Sequence, residues 1–436
     1  MSNHLEKFNI DQRRAMFTII LSILLDVFGY TMVLPLLPSI ATEFGATDFM
    51  IGLLISSNAV AALVFIPIWG KLSDRYGRKP ILLIAQAGTG LSFLILGLSN
   101  SFYIILLARI VDGIFGGQIP VIRAYITDIT TPQTRASHMG KIMVGYTLGM
   151  TIGPLVGGFL GEINWRIPTY LASALTIVLI VLTITVIIES MPAERRDELK
   201  AQIILSQSNP DSRDSIWNKQ VISRMFQIFL LSLVNFIITT SLPLVIVARY
   251  GVDTLAIGLI MAVAGVSVLI YGGILMKPMI MRLGEKRLLM SSLILFAIIF
   301  IFYPFLYELW MVFVFVLPFS FCMAFIRPLI TTNMTKSVNL HKQGELGGWS
   351  TNFQTVAQIF APLIATSFLD LGAVSIGLIY LDAYFLIGNT CVFLALILFI
   401  IGYIDIKKNP KLYYYEKLRR KREAMKKKRL KEKVQN

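Results

Sequence analysis

The chain has 436 residues, 56% of them hydrophobic, with a mean hydropathy of +0.71. The apolar residues come in runs long enough to cross a bilayer, which takes about 20 residues per helix. Such runs leave no polar face for water, so a soluble enzyme is all but excluded. The net charge of +15 does not point to nucleic acid: from Asp405 onward 14 Lys and Arg stand against four acids, so that tail alone holds +10. A basic tail beside a membrane helix meets anionic lipid headgroups instead.

In chain order, the first apolar run is Ala15 to Pro38. It is too long for a signal-peptide core, contains Asp26 and lacks a small-residue cleavage site, so it reads as a retained membrane helix. Eleven further spans are predicted at 49–70, 80–99, 102–124, 139–162, 167–188, 221–248, 254–278, 288–305, 309–330, 345–369 and 377–404. The polar stretch from Glu189 to Gln220 divides them. The expected organisation is a six-helix half over 1–188, a linker loop over 189–220, a second six-helix half over 221–404 and a basic tail over 405–436. Lys and Arg crowd alternate loops, with only Arg166 and Arg249 on the other side. The positive-inside rule then places both termini in the cytoplasm of a multi-pass cell-membrane protein. His4, His138 and His341 fall in polar segments and read as surface residues. Cys322 and Cys391 lie inside apolar runs, where neither a disulfide nor a zinc site is expected.

The two halves repeat each other. Leu34-Pro35-Leu36 matches Leu242-Pro243-Leu244, and Ile51-Gly52-Leu53 matches Ile257-Gly258-Leu259. Gly77-Arg78-Lys79 matches Gly284-Glu285-Lys286, Ile122-Arg123 matches Ile326-Arg327, and Gly153-Pro154-Leu155 matches Ala361-Pro362-Leu363. Five matches in one order at nearly one period indicate a parallel duplication.

The first span carries Asp26 in its middle, followed by Gly29, Tyr30, Pro35 and Pro38. Desolvation there disfavours the charged carboxylate, which suits a group that takes up and releases a proton. The matching place in the seventh span is Val234, with Asn235 beside it, so the fold does not demand the acid. The alternative role is a carboxyl bonded to a neighbouring helix.

The loop between the second and third spans reads Gly70-Lys71-Leu72-Ser73-Asp74-Arg75-Tyr76-Gly77-Arg78-Lys79-Pro80. Glycine permits the tight turn, and a carboxylate can cap a neighbouring helix N-terminus. This segment resembles the signature loop of the major facilitator superfamily. The resemblance implies an all-α membrane protein of the major facilitator fold, twelve transmembrane helices in two pseudo-symmetric halves with a cavity between them. It also implies a conformational latch built from Gly70, Asp74, Arg75, Gly77, Arg78 and Asp128. The second-half copy has Met281 in place of Asp74, so the latch is expected to be asymmetric.

The fourth span contains Arg109, Asp112, Gly113, Gly116 and Gly117. Arg109 and Asp112 are three apart and share a helix face. A charge in mid-membrane costs roughly 2.5–3.5 kcal/mol on insertion scales, so such residues are usually functional. The Arg-x-x-x-Gly pattern resembles one associated with proton-coupled members, although relatives often carry Gln at the place of Asp112. A structural ion pair is the alternative. Further on, Arg123 and Arg327 near matching span ends read first as snorkelling to headgroups, and second as attractants for an anionic solute. Trp69, Trp310 and Trp349 read as interfacial anchors.

In the fifth span Gly145, Gly149, Gly153, Gly157 and Gly161 recur every four residues, with Pro154 and Gly158. Small residues at this spacing admit a close neighbour helix, and Pro154 can kink the helix. The run Gly149 to Gly158 resembles the motif of drug–proton antiporters. The first span taken with Ala124-Tyr125-Ile126-Thr127-Asp128-Ile129-Thr130 is similar to the twelve-helix drug–proton antiporters of the tetracycline-efflux kind. The third and ninth spans here lack the acids of those exporters, which counts against a tetracycline–metal substrate.

The expected function is therefore a secondary transporter: a proton-coupled antiporter that exports an amphipathic organic solute or drug by alternating access. Asp26, Arg109 and Asp112 would couple protons, the sole coupling species. Tyr30, Gln118, Asn235, Asn352 and Gln354 would line the substrate cavity. No catalytic, metal or cofactor site and no nucleic-acid partner is expected, and a monomer in the bilayer is. Two rivals keep the fold: an uncoupled or importing metabolite transporter, and a non-transporting receptor or scaffold. The tail from Lys407 is either a surface helix on anionic lipid or solvated chain.

Overall fold

The computed structural model describes residues 12–192, 194, 196, 217–338, 342–371, 374–376 and 379–410. The expectations for His4, His341, most of the linker and the tail beyond 410 lie outside them. Ten helices in the described residues are long and apolar enough to cross a membrane.

The first predicted span is interrupted. Helix α1 (Gln12–Val33) gives way to a 3-10 turn at Leu34–Leu36 and then to α2 (Leu37–Glu43). Pro35 and Pro38 remove the amide donors an unbroken helix would need there. The spans that follow are α3 (Asp48–Tyr76) and α4 (Arg78–Gly97). The fourth predicted span is two helices, α5 (Phe102–Phe115) and α6 (Gln118–Ile129), separated at Gly116-Gly117. The first part closes with α7 (Pro132–Ile163) and α8 (Arg166–Val186).

The second part opens with α9 (Lys219–Tyr250), continuous through Pro243. A single apolar stretch of 48 residues follows, Thr254–Ile301, about twice the length of a crossing. It comprises α10 (Thr254–Leu269), a π-helical turn at Ile270–Leu275 and α11 (Met276–Ile301). Within α11, Gly284 adopts φ 80° and ψ 154° and breaks the helical path. Next come α12 (Leu309–Thr335) and the 29-residue α13 (Gln343–Leu371). The last predicted span was placed to start at 377. Instead β1 (Val374–Ile376) and β2 (Ile379–Leu381) form an antiparallel hairpin, and α14 (Ala383–Lys408) starts after it. Asp382 sets that start by accepting the Phe385 amide at 2.7 Å.

The two parts bury their apolar residues differently. One cluster runs without interruption through the second part, from Val221 to Ile406, with Phe296, Phe300, Phe315 and Phe319 ring against ring. The first part has two separate clusters. One gathers Ile19, Ile23, Tyr125 and Ile126 near the chain start; the other gathers Met32, Leu36, Leu54 and Ile105 at the opposite end. Between them lies a layer of polar side chains.

The parts meet through small residues. A methyl group added at Gly258 of α10 would lie 2.5 Å from the Pro154 carbonyl of α7. At the equivalent place, one added at Gly52 of α3 would lie 3.0 Å from the Pro362 carbonyl of α13. Ser56 Oγ donates to the Ile359 carbonyl at 2.7 Å, and Asp370 accepts the Phe49 amide at 3.0 Å. These contacts all sit in the halves of the helices remote from the chain termini. Toward the terminal end, positions Gly70, Gly140, Gly272, Gly273, Gly347 and Gly348 have open space or bare contact around them.

A buried polar layer and a charged turn

The polar layer begins at the break in the fourth span. Gly117 lets the Trp69 ring come close: a methyl there would lie 2.6 Å from it. Trp69 Nε1 donates to the Ile114 carbonyl that the break leaves without a helical partner. Trp69 is only 8% exposed, so it is not the interfacial anchor predicted for it; it braces this break. Trp310, 61% exposed, does sit outward.

The break delivers Gln118 to the first residue of α6, where Nε2 donates to Asp26 Oδ1 at 2.8 Å and to Thr89 Oγ1 at 3.2 Å. Asp26 is half-buried on α1. Ser92, one turn from Thr89, donates to the Thr89 carbonyl at 2.7 Å and reaches Asp112 Oδ1 at 3.5 Å. Asp112 in turn holds Arg109 Nη1 at 2.8 Å and accepts Asn58 Nδ2 at 2.9 Å. Asn58 also donates to the Arg109 carbonyl at 3.2 Å. Finally, the Arg109 guanidinium lies over the Tyr30 ring, 5.5 Å from its centre and one turn along α1 from Asp26. The fold thus gathers Asp26, Tyr30, Arg109, Asp112 and Gln118 into one layer. Among the described residues no direct bond joins Arg109 to Asp26; Asp112 and Gln118 both reach α4, at Ser92 and Thr89 one turn apart. Gln118 is 2% exposed and holds Asp26, so its place is behind the acid.

The signature loop forms a second network. Gly77 has φ 108°, a backbone region open to glycine. The Glu189 carboxylate lies against the bare face of Gly77 and accepts the Arg78 amide at 2.8 Å and the Lys79 amide at 3.0 Å. An acid there satisfies orphan amides and the positive end of α4. Arg78 Nη1 pairs with Asp74 at 2.6 Å and bonds Ser73 Oγ at 2.7 Å, and Nε pairs with Asp128 at 3.1 Å. Ser190 also donates to Asp128, at 3.0 Å. The Arg75 side chain turns aside over Tyr76, and Gly70 contributes its carbonyl to Ser73 Oγ.

The second part has its own version with the charges exchanged. Glu285, the residue after Gly284, pairs with Lys336 at 2.9 Å. The asymmetry expected from Met281 is therefore an inversion of sign. Nearby, Arg224 pairs with Asp405 at 3.1 Å, both side chains almost fully buried.

On α7 the glycine stripe faces α1. Added methyls at Gly149, Gly153 and Gly157 would lie 2.8 Å from the Leu24 carbonyl, 2.9 Å from the Phe28 carbonyl and 2.0 Å from the Met32 carbonyl. Thr31 Oγ1 donates to the Gly149 carbonyl at 3.0 Å. Pro154 and Gly158 lie on another face, toward α10. The motif therefore joins α1, which carries Asp26, to the second part.

Arg123 on α6 and Arg327 on α12 stand at matching places in the two repeats. Both have solvent access, yet both lie within electrostatic reach of Tyr146 on α7, which also faces Asp26. Arg327 Nη2 donates to Gln354 Oε1 on α13. Arg327, on the second part, thus acts on Tyr146 of the first. Asn235 and Asn352 are half-buried on α9 and α13. Residues that sequence reasoning missed include Asn58, Thr89, Ser92, Tyr146 and Glu189. Asn58 was visible as a polar residue inside the apolar run 49–70; Glu189 was assigned to the linker.

Comparison with known proteins agrees with this geometry. The chain is 25% identical over 396 residues to the class H tetracycline resistance protein of Pasteurella multocida, covering 85% of this chain and 96% of that one. It is 27% identical over 372 residues to multidrug resistance protein 2 of Bacillus subtilis (strain 168), covering 84% and 91%. Among solved structures, the human organic anion transporter MFSD10 (TETRAN) superposes with a TM-score of 0.68 at 20% identity, over 90% of this chain and 99% of that one. An inward-facing, occupied bacterial homologue of the human lysosomal transporter Spinster gives 0.70 at 15% identity, over 91% and 97%. The family model of the Major Facilitator Superfamily matches residues 19–362. With that match, a nearly all-helical fold and apolar helices of bilayer length, the chain is a multi-pass membrane protein of the Major Facilitator Superfamily, a transporter and not an enzyme.

Proposed function

We propose that the protein is a proton-coupled antiporter that exports an amphipathic organic solute. The observation that carries this reading is Asp26: a half-buried carboxylate in mid-helix, held by the neutral Gln118 amide rather than by a cation. An acid so placed can alternate between charged and neutral forms, whereas Asp112 is committed to Arg109. Gln118 positions Asp26, and Asp112, held by Arg109, acts on it electrostatically. Proton uptake at Asp26 weakens its hold on the α6 break and so links protonation to helix packing. The curated relatives are drug-efflux proteins, which supports export.

In this reading the chain crosses the bilayer twelve times, α10–α11 supplying two crossings and α13 one. It works as a monomer in the cell membrane with both termini in the cytoplasm. The end where the parts stand apart faces the cytoplasm, and the Arg78 and Glu285 networks latch the turns at that end. A membrane potential of 100 mV contributes roughly 2.3 kcal/mol per charge moved.

The test is proton flux in inside-out vesicles holding an imposed pH gradient. Lipophilic cations, neutral amphiphiles and organic anions are added in turn to wild type and to Asp26→Asn. One class should dissipate the gradient in wild type only, with Asp26→Asn still folded in the membrane. Wild-type proton movement in Asp26→Asn removes the assignment.

A further inference from the structure

Four arginines of this fold are matched to acids. Arg78 has Asp74 and Asp128, Arg109 has Asp112, Arg224 has Asp405, and Arg249 has Asp382 at 3.6 Å. Arg123 and Arg327 are different. Neither has a carboxylate partner among the described residues, although both are surrounded by protein while remaining open to solvent. That combination belongs to the wall of a cavity rather than to a lipid-facing surface. They occupy equivalent places in the two repeats, Ile122-Arg123 and Ile326-Arg327, one on α6 and one on α12. Tyr146 lies within electrostatic reach of both, and Gln354 orients Arg327. Two guanidiniums without counter-charge on one solvent-filled space focus a positive potential that attracts an anion.

We propose that Arg123 and Arg327 form a two-sided anion site, so that the transported solute carries a carboxylate, sulfonate or phosphate group on an apolar body. Each guanidinium presents a planar fork that matches such groups. The two forks come from different parts of the molecule. With the site empty their mutual repulsion opposes closure of the terminal end; a bound anion bridges them and favours closure. The ligand thereby has unequal affinity for the two conformations, which is the condition for driving the change. This rests on the transporter reading above and names its substrate class.

The test uses the full chain in phosphatidylcholine nanodiscs, with carboxyfluorescein as anionic probe and rhodamine 123 as cationic probe, each followed by fluorescence polarisation. Wild type should bind carboxyfluorescein. Arg123→Gln and Arg327→Gln should each weaken that binding by about tenfold or more, the usual worth of a hydrogen bond to a charged group. The double variant should lose saturable binding, and Arg327→Lys should keep part of it. Phosphatidylglycerol in the discs separates two sources of the anion: competition identifies a lipid headgroup, no competition a free solute, and either agrees with the site. Binding of rhodamine 123 but not carboxyfluorescein, or unchanged carboxyfluorescein binding in both Gln variants, overturns it. Proton flux keeps the two readings apart. If rhodamine 123 alone drives it, the antiporter stands and the anion site falls. If carboxyfluorescein binds through the arginines but no probe moves protons, the site stands and coupling falls.

Discussion

Arg109 and Asp112 stand 2.8 Å apart with side chains 3% and 8% exposed, deep between the two apolar clusters of the first part. Removing one member of such a buried pair leaves an uncompensated charge, a loss of about 3–5 kcal/mol. Arg109→Ala should therefore sharply lower the melting temperature of the purified protein in detergent. The double variant Arg109→Ala with Asp112→Asn should regain most of it, because no lone charge remains. Equal melting temperatures for single and double variants would show that the pair is not what stabilises the layer. A similar argument applies to Glu189, which satisfies two amides at the start of α4. Glu189→Ala should destabilise the turn by about 0.5–2 kcal/mol, the usual worth of a helix N-terminal cap, whereas Glu189→Gln keeps an acceptor and should lose less.

At the scale of elements, the stripe on α7 is a backbone-to-backbone contact. Gly157→Ala places a methyl 2.0 Å from the Met32 carbonyl, which no side-chain rotation relieves. A cost of about 1–3 kcal/mol follows from overpacking, read as a lower melting temperature. Gly140→Ala on the same helix meets nothing within 4 Å and should be neutral or slightly stabilising. A fall of equal size in both would show that the contact with α1 is not its cause. The stripe was legible in the sequence because its spacing is one-dimensional, as were Asp26, the Arg109–Asp112 pair and the signature loop. Helix rotation and breaks were not. Gln118 read as cavity lining and Asp26 as the proton site; the Gly116-Gly117 break is what brings them within 2.8 Å. For Arg123 and Arg327 hydropathy does not distinguish a lipid-facing position from one facing an aqueous cavity, so both readings stood. Asp382, whose cap delays the start of α14, looked like one more loop acid.

At the scale of the molecule, the asymmetry of the two parts bears on how it moves. The second part has one continuous apolar core, while the polar layer divides that of the first. The polar layer that holds Asp26 therefore lies in one part, and the other packs against that part across the Gly258–Pro154 and Gly52–Pro362 contacts. Those contacts close one end of the molecule while the other stands open, so exchange across the membrane requires them to separate. Ser56 reports on this. It is 2% exposed and bonded to the Ile359 carbonyl at the closed end. Gly348, exposed at the open end, is the reference position. The native Cys322 and Cys391 are buried and give no background to a polar maleimide. Gly348→Cys should label at once in purified protein. Ser56→Cys should label slowly, at a rate set by how often the closed end opens, and faster in the presence of a transported probe. Complete protection of Ser56→Cys, under conditions where Gly348→Cys is fully labelled and solute flux is measurable, would mean that transport proceeds without opening this seal.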